Sequence, residues 1–426
     1  MLRIITLVFL IFNSINCMAT NGYFAIGYGS KSIAMGGASI AHPHDGLAAA
    51  TNPAGMAFVE PGWDAGMRFI NTPREAEIDC RGVGACSQVV SDKSNRDLFL
   101  VPNFSYNKSL NDRMTFGVSL YGNGGINTSY GKALIVESSR RINGAAPPTG
   151  AKLGVDFSQI ILAPSLTYKI NEQHTFGIAP LIATQKFSSR GLEAFIPLSS
   201  ASGSLTSRGS DWSFGLGFRV GWLYQIHPRV RFGAAYASKV YMTKFKKYDG
   251  LFANGGEFDI PSNFGFGIAF NLTDKLDLAL DANRIQYGDI DALSNPIVTA
   301  AELGGTINTN RRLGGSNSIG FGWRSIWAFK AGLKYEVNKS WTFRTGYNHG
   351  EKQIPRESTL MNLITPAVPQ DHLTFGVSYR PSSNTEISFA YMHAFENELI
   401  NASTPLGKAK AEISQNTVDI NFSKRF

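Results

Sequence analysis

The feature that most constrains the fold is a strict alternation of large apolar residues with small or polar residues over 13 residues or more. One such stretch runs from Trp212 to Tyr224 (WSFGLGFRVGWLY), and another runs from Phe321 to Glu336 (FGWRSIWAFKAGLKYE). A period of two indicates β-strands, and strands in soluble proteins usually have only about 5–6 residues. The face with the large side chains begins and ends in aromatic residues, which is typical of strands that cross a membrane. A two-sheet sandwich is the alternative, but its strands are shorter and lack such aromatic ends.

Short polar turns separate the alternating stretches, and they follow Tyr106, Tyr168, Tyr224, Phe270, Tyr335 and Tyr379. Asn, Asp, Pro and Ser recur in them, because these residues satisfy or preset the backbone of a tight turn. Longer irregular segments alternate with the turns: 74–94, 123–153, 188–210, 243–257, 288–318, 350–370 and 397–410. The seven segments and six turns join 14 strands, an even number that lets an antiparallel sheet close. The sequence therefore predicts an all-β fold, a 14-stranded antiparallel transmembrane β-barrel over residues 62–426.

The composition agrees with a membrane barrel and disfavours a helical enzyme. Charged residues make up 17% of the chain, against a usual share of roughly 25%. No stretch after the N-terminus reaches the roughly 18 consecutive apolar residues of a membrane helix. The last strand, VDINFSKRF, is amphipathic and ends in Phe426, the usual signal for the machinery that assembles outer-membrane barrels.

Residues 1–19 have the pattern of a secretory signal peptide, with a basic start at Arg3, a short apolar core and small residues before a cleavage site after Ala19. A short membrane anchor, or a lipoprotein attached through Cys17, is the alternative. Loss of Arg3 lowers the formal charge from +8 to +7. An exported chain without a basic cluster is not expected to bind nucleic acid, and its excess of cations suits an anionic solute or surface.

Residues 20–61 are rich in Gly and Ala and lack strands with aromatic ends. About 40 residues are more than a simple tail needs, and small side chains suit a segment that packs inside a barrel. We therefore expect a hatch that plugs the lumen. A disordered tail is the alternative, but disorder favours charge and low hydrophobicity.

Two small clusters could carry chemistry. Cys80 and Cys86 bracket a glycine-rich loop (CRGVGAC) in an exported chain, which predicts a disulfide rather than a metal pair. His42, His44 and Asp45 lie close together, but their spacing matches no established metal site. We expect no metal, no cofactor and no enzymatic activity.

Four stretches resemble the FadL-type outer-membrane transporters of long-chain fatty acids and their hydrocarbon-uptake relatives. SKSIAMGGASIAHPHDGLAAATNPAGMAFV is similar to the hatch of that family, including an Asn-Pro-Ala element at Asn52, Pro53 and Ala54. FGVSLYGNGGINTSYG resembles its kinked third strand, and WTFRTGYNHGEKQIP and VPQDHLTFGVSYRPSSNTEISFAY resemble late strands. The resemblance implies a 14-stranded barrel plugged by a hatch in the bacterial outer membrane. We expect a monomer that contacts membrane lipid and lipopolysaccharide.

The resemblance also implies a path for a hydrophobic compound, from a groove between outer loops to a lumen pocket and then to a lateral gap. Candidate groove residues are Leu192, Phe195, Ile196, Leu198, Phe245, Tyr248, Leu251 and Phe252. Apolar residues with inward parity are Phe99, Val101, Phe157, Ile161 and Leu181, which could bind the solute or pack against the hatch. Inward cations that could bind a carboxylate, or pair with inward acids, are Arg219, Arg324, Lys330 and Arg344. Glycines that break the third strand and open the gap are Gly122, Gly124 and Gly125.

The sequence therefore predicts an outer-membrane transport protein for hydrophobic compounds, with long-chain fatty acids as the first candidate. An aromatic or aliphatic hydrocarbon channel and a general porin are the alternatives. We expect the long segments to face the cell exterior and the short turns to face the periplasm.

Overall fold

The fold was described from a computed structural model, which covers residues 21–146, 150–299, 302 and 307–426. The expected signal peptide lies outside the described residues. One antiparallel sheet contains all 17 strands of the described residues. The strands are β1 (Gly62–Asn71), β2 (Arg74–Asp79), β3 (Val89–Lys93), β4 (Leu98–Ser109), β5 (Met114–Tyr130), β6 (Leu153–Lys169), β7 (His174–Arg190), β8 (Asp211–His227), β9 (Val230–Ala237), β10 (Tyr241–Met242), β11 (Asn263–Asn271), β12 (Leu276–Ile285), β13 (Ile326–Glu336), β14 (Trp341–Gly350), β15 (Asp371–Ser382), β16 (Thr385–Thr404) and β17 (Gly407–Arg425).

The helices of the described residues are short and lie outside the strands. The α-helices are α1 (Ser30–Ala34), α2 (Leu134–Ile142), α3 (Ala253–Gly256), α4 (Asp291–Ser294) and α5 (Thr359–Asn362). The 3₁₀ helices span Gly46–Ala50, Pro53–Phe58, Glu193–Leu198, Ser202–Ser204, Lys246–Tyr248, Tyr287–Asp289, Thr309–Arg311 and Arg356–Ser358. Within these described parts of the chain, no helix has the length and apolarity needed to cross a membrane.

Fourteen of the strands close into a barrel, which confirms the predicted fold class. β1 pairs with β4 on one side and with β17 on the other, so the first and last strands of the barrel meet. The three extra strands lie outside this ring. β2 and β3 form a hairpin that extends the sheet beside β17, and β10 is a two-residue strand that pairs with β8. The six short turns join successive strand pairs at one end, called here the short-turn end; the opposite end is the long-loop end.

The predicted long loop at 397–410 is wrong, because β16 and β17 continue through it as one hairpin with its turn after Thr404. The buried side chains of Leu399, Ala409, Ala411 and Ile413 explain why the strands extend. They form an alternating apolar face that packs against the long-loop end of the molecule. Small alanines on this face weakened the alternation that the prediction relied on.

The strand predicted from Phe321 also begins later than expected, at Ile326. Gly322 adopts a φ of 69°, a left-handed conformation that ends an extended run and that glycine tolerates best. As a result Trp323 does not lie on the outward face with the membrane-facing aromatics. It is 2% exposed inside the molecule, and its backbone N–H donates to the carbonyl of Leu293 at 2.8 Å.

The two faces of the barrel differ as the alternation predicts. Large side chains on the outward face are exposed, for example 59% for Phe214 and 65% for Leu216. Polar side chains on the inward face are buried and bind residues 21–61, called here the N-terminal segment. They come from eleven strands and include Arg68, Asn107, Ser119, Thr167, Arg219, Asp281, Lys330, Asn348, Thr374, Glu386 and Asp419.

The remaining three barrel strands, β7, β9 and β11, contact the N-terminal segment through glycines. A Cβ atom on Gly177 would lie 2.3 Å from the backbone nitrogen of Ala54, and one on Gly233 would lie 2.6 Å from the carbonyl oxygen of Ile40. A Cβ atom on Gly267 would lie 2.9 Å from the Cβ atom of Ile40. A segment that contacts all 14 strands of a closed barrel lies inside it. Inward glycines therefore provide the room that this segment occupies.

Gly346 on β14 offers a test of this packing, because its missing side chain leaves space for the N-terminal segment. A Cβ atom there would lie 2.2 Å from the backbone nitrogen of Gly36. We expect Gly346→Val to displace the segment locally, at a cost of about 1–3 kcal/mol for overpacking. Liposomes containing the variant should admit small sugars that the unmodified protein excludes.

The matched control is Gly203→Val, since a Cβ atom on Gly203 would meet no atom within 4 Å. Both variants should keep the heat-dependent gel mobility of a folded barrel. A sealed Gly346→Val barrel would contradict the role assigned to this close approach.

Candidate functional site

A large apolar cluster fills the long-loop end of the lumen. Residues from the strands, the long loops and the N-terminal segment meet in it, among them Tyr23, Phe157, Phe258, Tyr287 and Trp323. The ring of Tyr23 lies 5.7 Å from that of Phe157 and 5.3 Å from that of Tyr287, and the rings of Tyr287 and Trp323 are 5.2 Å apart and perpendicular. The two edge-to-face pairs, Tyr23 with Phe157 and Tyr287 with Trp323, each add about 0.5–1.5 kcal/mol beyond the burial of their surface.

The cluster encloses a narrow apolar cavity with a volume of about 30 Å³. Its aromatic lining consists of Phe157, Phe187, Phe252, Phe258, Phe321 and Trp323. Among the residues that line it, Thr365 is the one polar side chain. A cavity of this size has room for only about one or two water molecules, so a larger hydrophobe needs side chains to move aside.

The predicted groove residues belong to this same cluster. Leu192, Phe195, Leu198, Phe245, Tyr248, Leu251 and Phe252 are all buried in it, whereas Ile196 is 37% exposed. The loops fold down onto the strands, and the ring of Phe252 lies 4.7 Å from that of Phe187 on β7. The structure therefore has no separate apolar groove between the long loops at these residues. Groove and lumen positions form one continuous site.

The predicted apolar lumen residues are all buried, but in two places. Phe157, Ile161 and Leu181 are part of the apolar cluster. Phe99 and Val101 on β4 instead pack with Ile70 on β1 in a small separate cluster.

Two of the predicted inward cations bind the N-terminal segment. Arg219 donates from Nη1 to the carbonyl oxygens of Ala49, at 3.3 Å, and Ala50, and to the hydroxyl of Tyr121. Lys330 donates from Nζ to the carbonyl oxygen of Ile26 at 2.8 Å. Their positive charges therefore face backbone carbonyls of the segment in this structure.

The other two cations lie elsewhere. Arg344 is buried near the short-turn end and donates from Nη1 to the hydroxyl of Ser378 at 2.7 Å. The prediction that Arg324 points inward is wrong, because this residue precedes β13 and the strand parity does not apply to it. Its side chain is exposed and pairs with Glu357 at 3.1 Å.

Sequence reasoning missed several residues of the cluster, chiefly Tyr23, Phe187, Phe258, Tyr287 and Trp323. Phe187 has the same parity on β7 as Leu181, so extending the strand to its observed end would have found it. The others lie outside the strands, Tyr287 in a short 3₁₀ helix, where no period of two indicates a direction for the side chain.

β4 and β5 separate toward the long-loop end and leave a gap in the barrel wall. β4 pairs with β5 only from Phe104 to Ser109, although β5 continues to pair with β6 as far as Tyr130. The two chains meet again where the N–H of Asn95 donates to the carbonyl of Ser129 at 2.8 Å. The gap therefore lies between residues 98–103 and 121–128, and it is called here the β4–β5 window.

The predicted kink glycines lie in this window, but they do not break the strand. β5 is continuous over 17 residues, and its pairing with β6 shifts by one residue between Gly122 and Gly124, which is a bulge. What ends at this point is the pairing with β4. Gly125 also lies in the stretch of β5 that β4 no longer pairs with.

The N-terminal segment takes the place of β4 beside the bulge. The N–H of Ala25 donates to the carbonyl of Asn123 at 3.1 Å, and the N–H of Gly125 donates to the carbonyl of Tyr23 at 3.2 Å. A Cβ atom on Gly124 would lie 1.9 Å from that same carbonyl oxygen, so only glycine fits there. In the membrane core an unpaired backbone group costs several kcal/mol, and these bonds satisfy part of the freed strand edge.

The hydroxyl of Tyr287 holds this part of the segment in place. It donates to the carbonyl of Asn21 at 2.5 Å and accepts from the N–H groups of Tyr23 and Phe24 at 3.2 and 3.3 Å. Tyr23 and Tyr287 are also members of the apolar cluster. The cluster and the window are therefore joined through the same few residues.

The Asn-Pro-Ala element anchors the segment near its C-terminal end. The side-chain oxygen of Asn52 accepts from the N–H of Ala54 at 3.1 Å and caps the 3₁₀ helix that begins at Pro53. Its amide nitrogen donates to the carbonyls of Ile40, at 2.8 Å, and Trp222, at 3.2 Å. One side chain thus fixes a turn and ties it to β8.

Cys80 and Cys86 are joined by a disulfide in the loop between β2 and β3.

His42 and His44 contact each other through their Nδ1 atoms at 3.3 Å, and His42 also binds Asp277 on β12 at 3.1 Å. His44 binds the carbonyl of Ala38 at 2.9 Å. In the described ranges, no group of three or more His, Cys, Asp or Glu side chains is placed to hold a metal ion.

The barrel, its internal segment and its apolar site correspond to a known family. Residues 21–423 match the model described as outer membrane protein transport protein (OMPP1/FadL/TodX). The chain belongs to this family. It is therefore an outer-membrane β-barrel that transports hydrophobic compounds, and members of the FadL family are transporters and channels rather than enzymes.

The relatives are named for different transported compounds. The long-chain fatty acid transport protein of Escherichia coli O6:H1 is 22% identical over 393 residues, which cover 79% of this chain and 78% of that protein. The toluene transporter TodX of P. putida has the same fold, with a TM-score of 0.70 and 20% identity over 94% of this chain and 99% of that chain. A FadL homologue of Pseudomonas aeruginosa has a TM-score of 0.68 and 18% identity over 95% of this chain and its full length.

The histidine pair predicts that low pH weakens the docking of the N-terminal segment. Burial lowers the pKa of both His42 and His44 below the ordinary value of about 6.5. A released segment then binds more protons than a docked one, so docking is lost as pH falls below about 6.5. As the pH falls from 7.5 to 5, the sugar permeability of liposomes should increase more for the unmodified protein than for His44→Gln.

The comparison must be made between the two proteins at each pH, because Asp45 acts in the opposite direction. Burial and the nearby Asp64 raise the pKa of Asp45 to about 7, so this group favours docking at low pH. Its contribution is common to both proteins and cancels in their difference. An identical pH dependence in His44→Gln would show that the imidazole has no part in docking.

Proposed function

We propose that the chain takes up long-chain fatty acids across the outer membrane, through the apolar cluster and out of the barrel by the β4–β5 window. The N-terminal segment acts as the hatch that closes the lumen. The short-turn end faces the periplasm and the long-loop end faces the cell exterior. We further propose that the protein is a monomer in contact with lipid and lipopolysaccharide, and that the barrel assembly machinery recognises its C-terminal strand.

The observation that carries this proposal is the position of Tyr23 between the cluster and the window. Its ring packs against Phe157, and its carbonyl binds the N–H of Gly125 at the edge of the window. The cavity beside it is too small for a hydrophobe as it stands. A solute that enters therefore displaces Tyr23, and residues 23–25 leave the strand edge with it. Entry of the solute into the cluster is therefore coupled to opening of the β4–β5 window.

A polar groove beside the cavity suits the carboxylate of a fatty acid. The groove has a volume of about 370 Å³, and Val155 lines both it and the apolar cavity. Arg96 and Lys186 share one partner, Asp156, at 3.1 and 3.4 Å. Arg190 is the second cation that lines the groove, after Arg96, and it donates to the hydroxyl of Ser129. Two lining cations and the nearby Lys186 against one carboxylate favour an anionic head group next to an apolar tail.

A neutral aromatic hydrocarbon is the second candidate. The lining of the cavity is aromatic and aliphatic, and it contains no charged side chain. A solute without a head group would need only this part of the site.

Arg190→Gln separates the two candidates. Because Arg190 is exposed, the lost attraction is worth at most about 1 kcal/mol, and uptake of a radiolabelled long-chain fatty acid should fall up to about fivefold. Uptake of toluene by the same cells should not change. The matched control is Arg324→Gln, which removes another exposed arginine that is paired with Glu357.

An equal fall for both compounds would contradict the head-group site and favour the neutral candidate. If neither compound enters faster than in host cells without the protein, the proposed function itself is wrong.

Tyr287→Phe tests the exit through the window. The change keeps the ring in the cluster but removes the hydroxyl that binds residues 21, 23 and 24. The N–H of Tyr23 is left without a partner, at a cost of about 1–3 kcal/mol, whereas the N–H of Phe24 and the carbonyl of Asn21 still bond to each other. Residues 21–24 should therefore detach more easily, and uptake should rise several-fold. Sugars should still be excluded, because the rest of the segment keeps its contacts.

Tyr241→Phe is the control, since Tyr241 is 70% exposed and lies outside the cluster. Unchanged hydrophobe uptake in a well-folded Tyr287→Phe barrel would argue against the window and for passage along the lumen.

A further inference from the structure

A polar basin lies at the short-turn end, and its lining shares no residue with the apolar cluster. It has a volume of about 590 Å³ and lies between the N-terminal segment and the turns that join β13 to β14 and β15 to β16. The cations that line it are Lys31, Lys334, Lys339, Arg344 and Arg380. His42 and His44 also face it.

Carboxylates around the basin do not balance these cations. Glu386 is shared by Lys31 and by Arg380, the latter at 2.8 Å. Asp277 and Glu336 both pair with Lys334, at 3.1 and 2.6 Å. Five cations thus face three carboxylates, an excess of two positive charges when both imidazoles are neutral.

Arg344 is the buried cation that this arrangement leaves without a carboxylate, since Lys339, which also has no ion pair among the described residues, is exposed. Arg344 is 9% exposed, and within the described ranges it forms no ion pair. Its Nη1 binds the hydroxyl of Ser378, which lies 2.8 Å from the hydroxyl of Ser388, so two serines stand between Arg344 and Glu386. Its Nε is buried without a hydrogen-bond partner. Buried guanidinium groups normally have an anionic partner and use their fork of N–H donors to bind it.

We propose that the basin binds a small oxyanion, a phosphate or a carboxylate, on Arg344 with the help of Lys31 and Arg380. The lining is mostly polar, so a long acyl chain has no place in it and the ligand is hydrophilic. Lys31 belongs to the N-terminal segment, whereas Arg344 and Arg380 belong to β14 and β15. A bound oxyanion therefore links the segment to the barrel wall and keeps the segment docked. This inference does not depend on which hydrophobe the protein transports.

Inorganic phosphate is the probe for a direct test on the full-length protein in a non-ionic detergent. Titration by calorimetry at constant ionic strength, with chloride as the replaced anion, should give a saturable binding signal. Phosphate should also raise the temperature at which the folded gel band is lost, because a ligand of the folded state stabilises it. Repeating the titration with acetate shows whether the site accepts carboxylates as well as phosphate. A site that accepts carboxylates responds to both anions, and a site specific for phosphate responds to phosphate alone.

Arg344→Gln should weaken binding by about tenfold or more, since a charge-assisted bidentate contact is lost. Arg344→Lys should fold even if the glutamine variant does not, and should bind more weakly than the unmodified protein because it lacks the planar fork. Arg324→Gln, which changes an exposed arginine at the long-loop end, should bind phosphate normally. Absence of saturation with both anions, or equal affinity in Arg344→Gln, would overturn the proposal.

Discussion

The structure depends on the hydrogen bonds between the inward polar side chains of the barrel and the backbone of the N-terminal segment. That segment has little regular secondary structure, so its own N–H and C=O groups cannot all pair with each other. Asp281 accepts from the N–H groups of Ser39 and Ile40, at 2.7 and 2.9 Å, and Arg219 and Lys330 donate to its carbonyls. Buried backbone groups without partners would otherwise make the plugged lumen unstable. The same bonds explain why most inward charges are not available to a solute.

The lumen is divided by this arrangement into two regions with different chemistry. At the short-turn end, ion pairs and histidines connect the N-terminal segment to the barrel wall. At the long-loop end, the contacts are made by the apolar cluster. The β4–β5 window opens beside this cluster, where β5 no longer pairs with β4 and residues 23–25 take its place. A strand in the membrane cannot leave its edge unpaired. The N-terminal segment must therefore bind the edge of β5 where β4 does not pair with it. The segment that lies inside the barrel therefore also covers the β4–β5 window.

Parity arguments succeeded wherever a residue lies in a paired strand. Phe157, Ile161 and Leu181 are buried inside because the side chains of a strand alternate between two fixed faces. The same argument failed at Arg324 and Trp323, which come just before β13, because the left-handed backbone at Gly322 ends the alternation. The groove residues of the loops were recognised as apolar, but nothing in their spacing indicates that they pack into the lumen against Phe187.

The sequence alone determined the barrel, since a period of two, aromatic strand ends and six polar turns leave few other ways to satisfy the backbone in a membrane. It also marked the glycines of β5 and the Asn-Pro-Ala turn as special positions. Only the tertiary structure decided what those positions do. The directions of Tyr23 and Tyr287, which lie outside the strands, and the partners of the inward Arg344 depend on distant groups, because contacts between residues far apart in the chain carry no local period. Contacts such as that between Asn21 and Asn348 join residues that are 327 positions apart, and no local pattern encodes such a meeting.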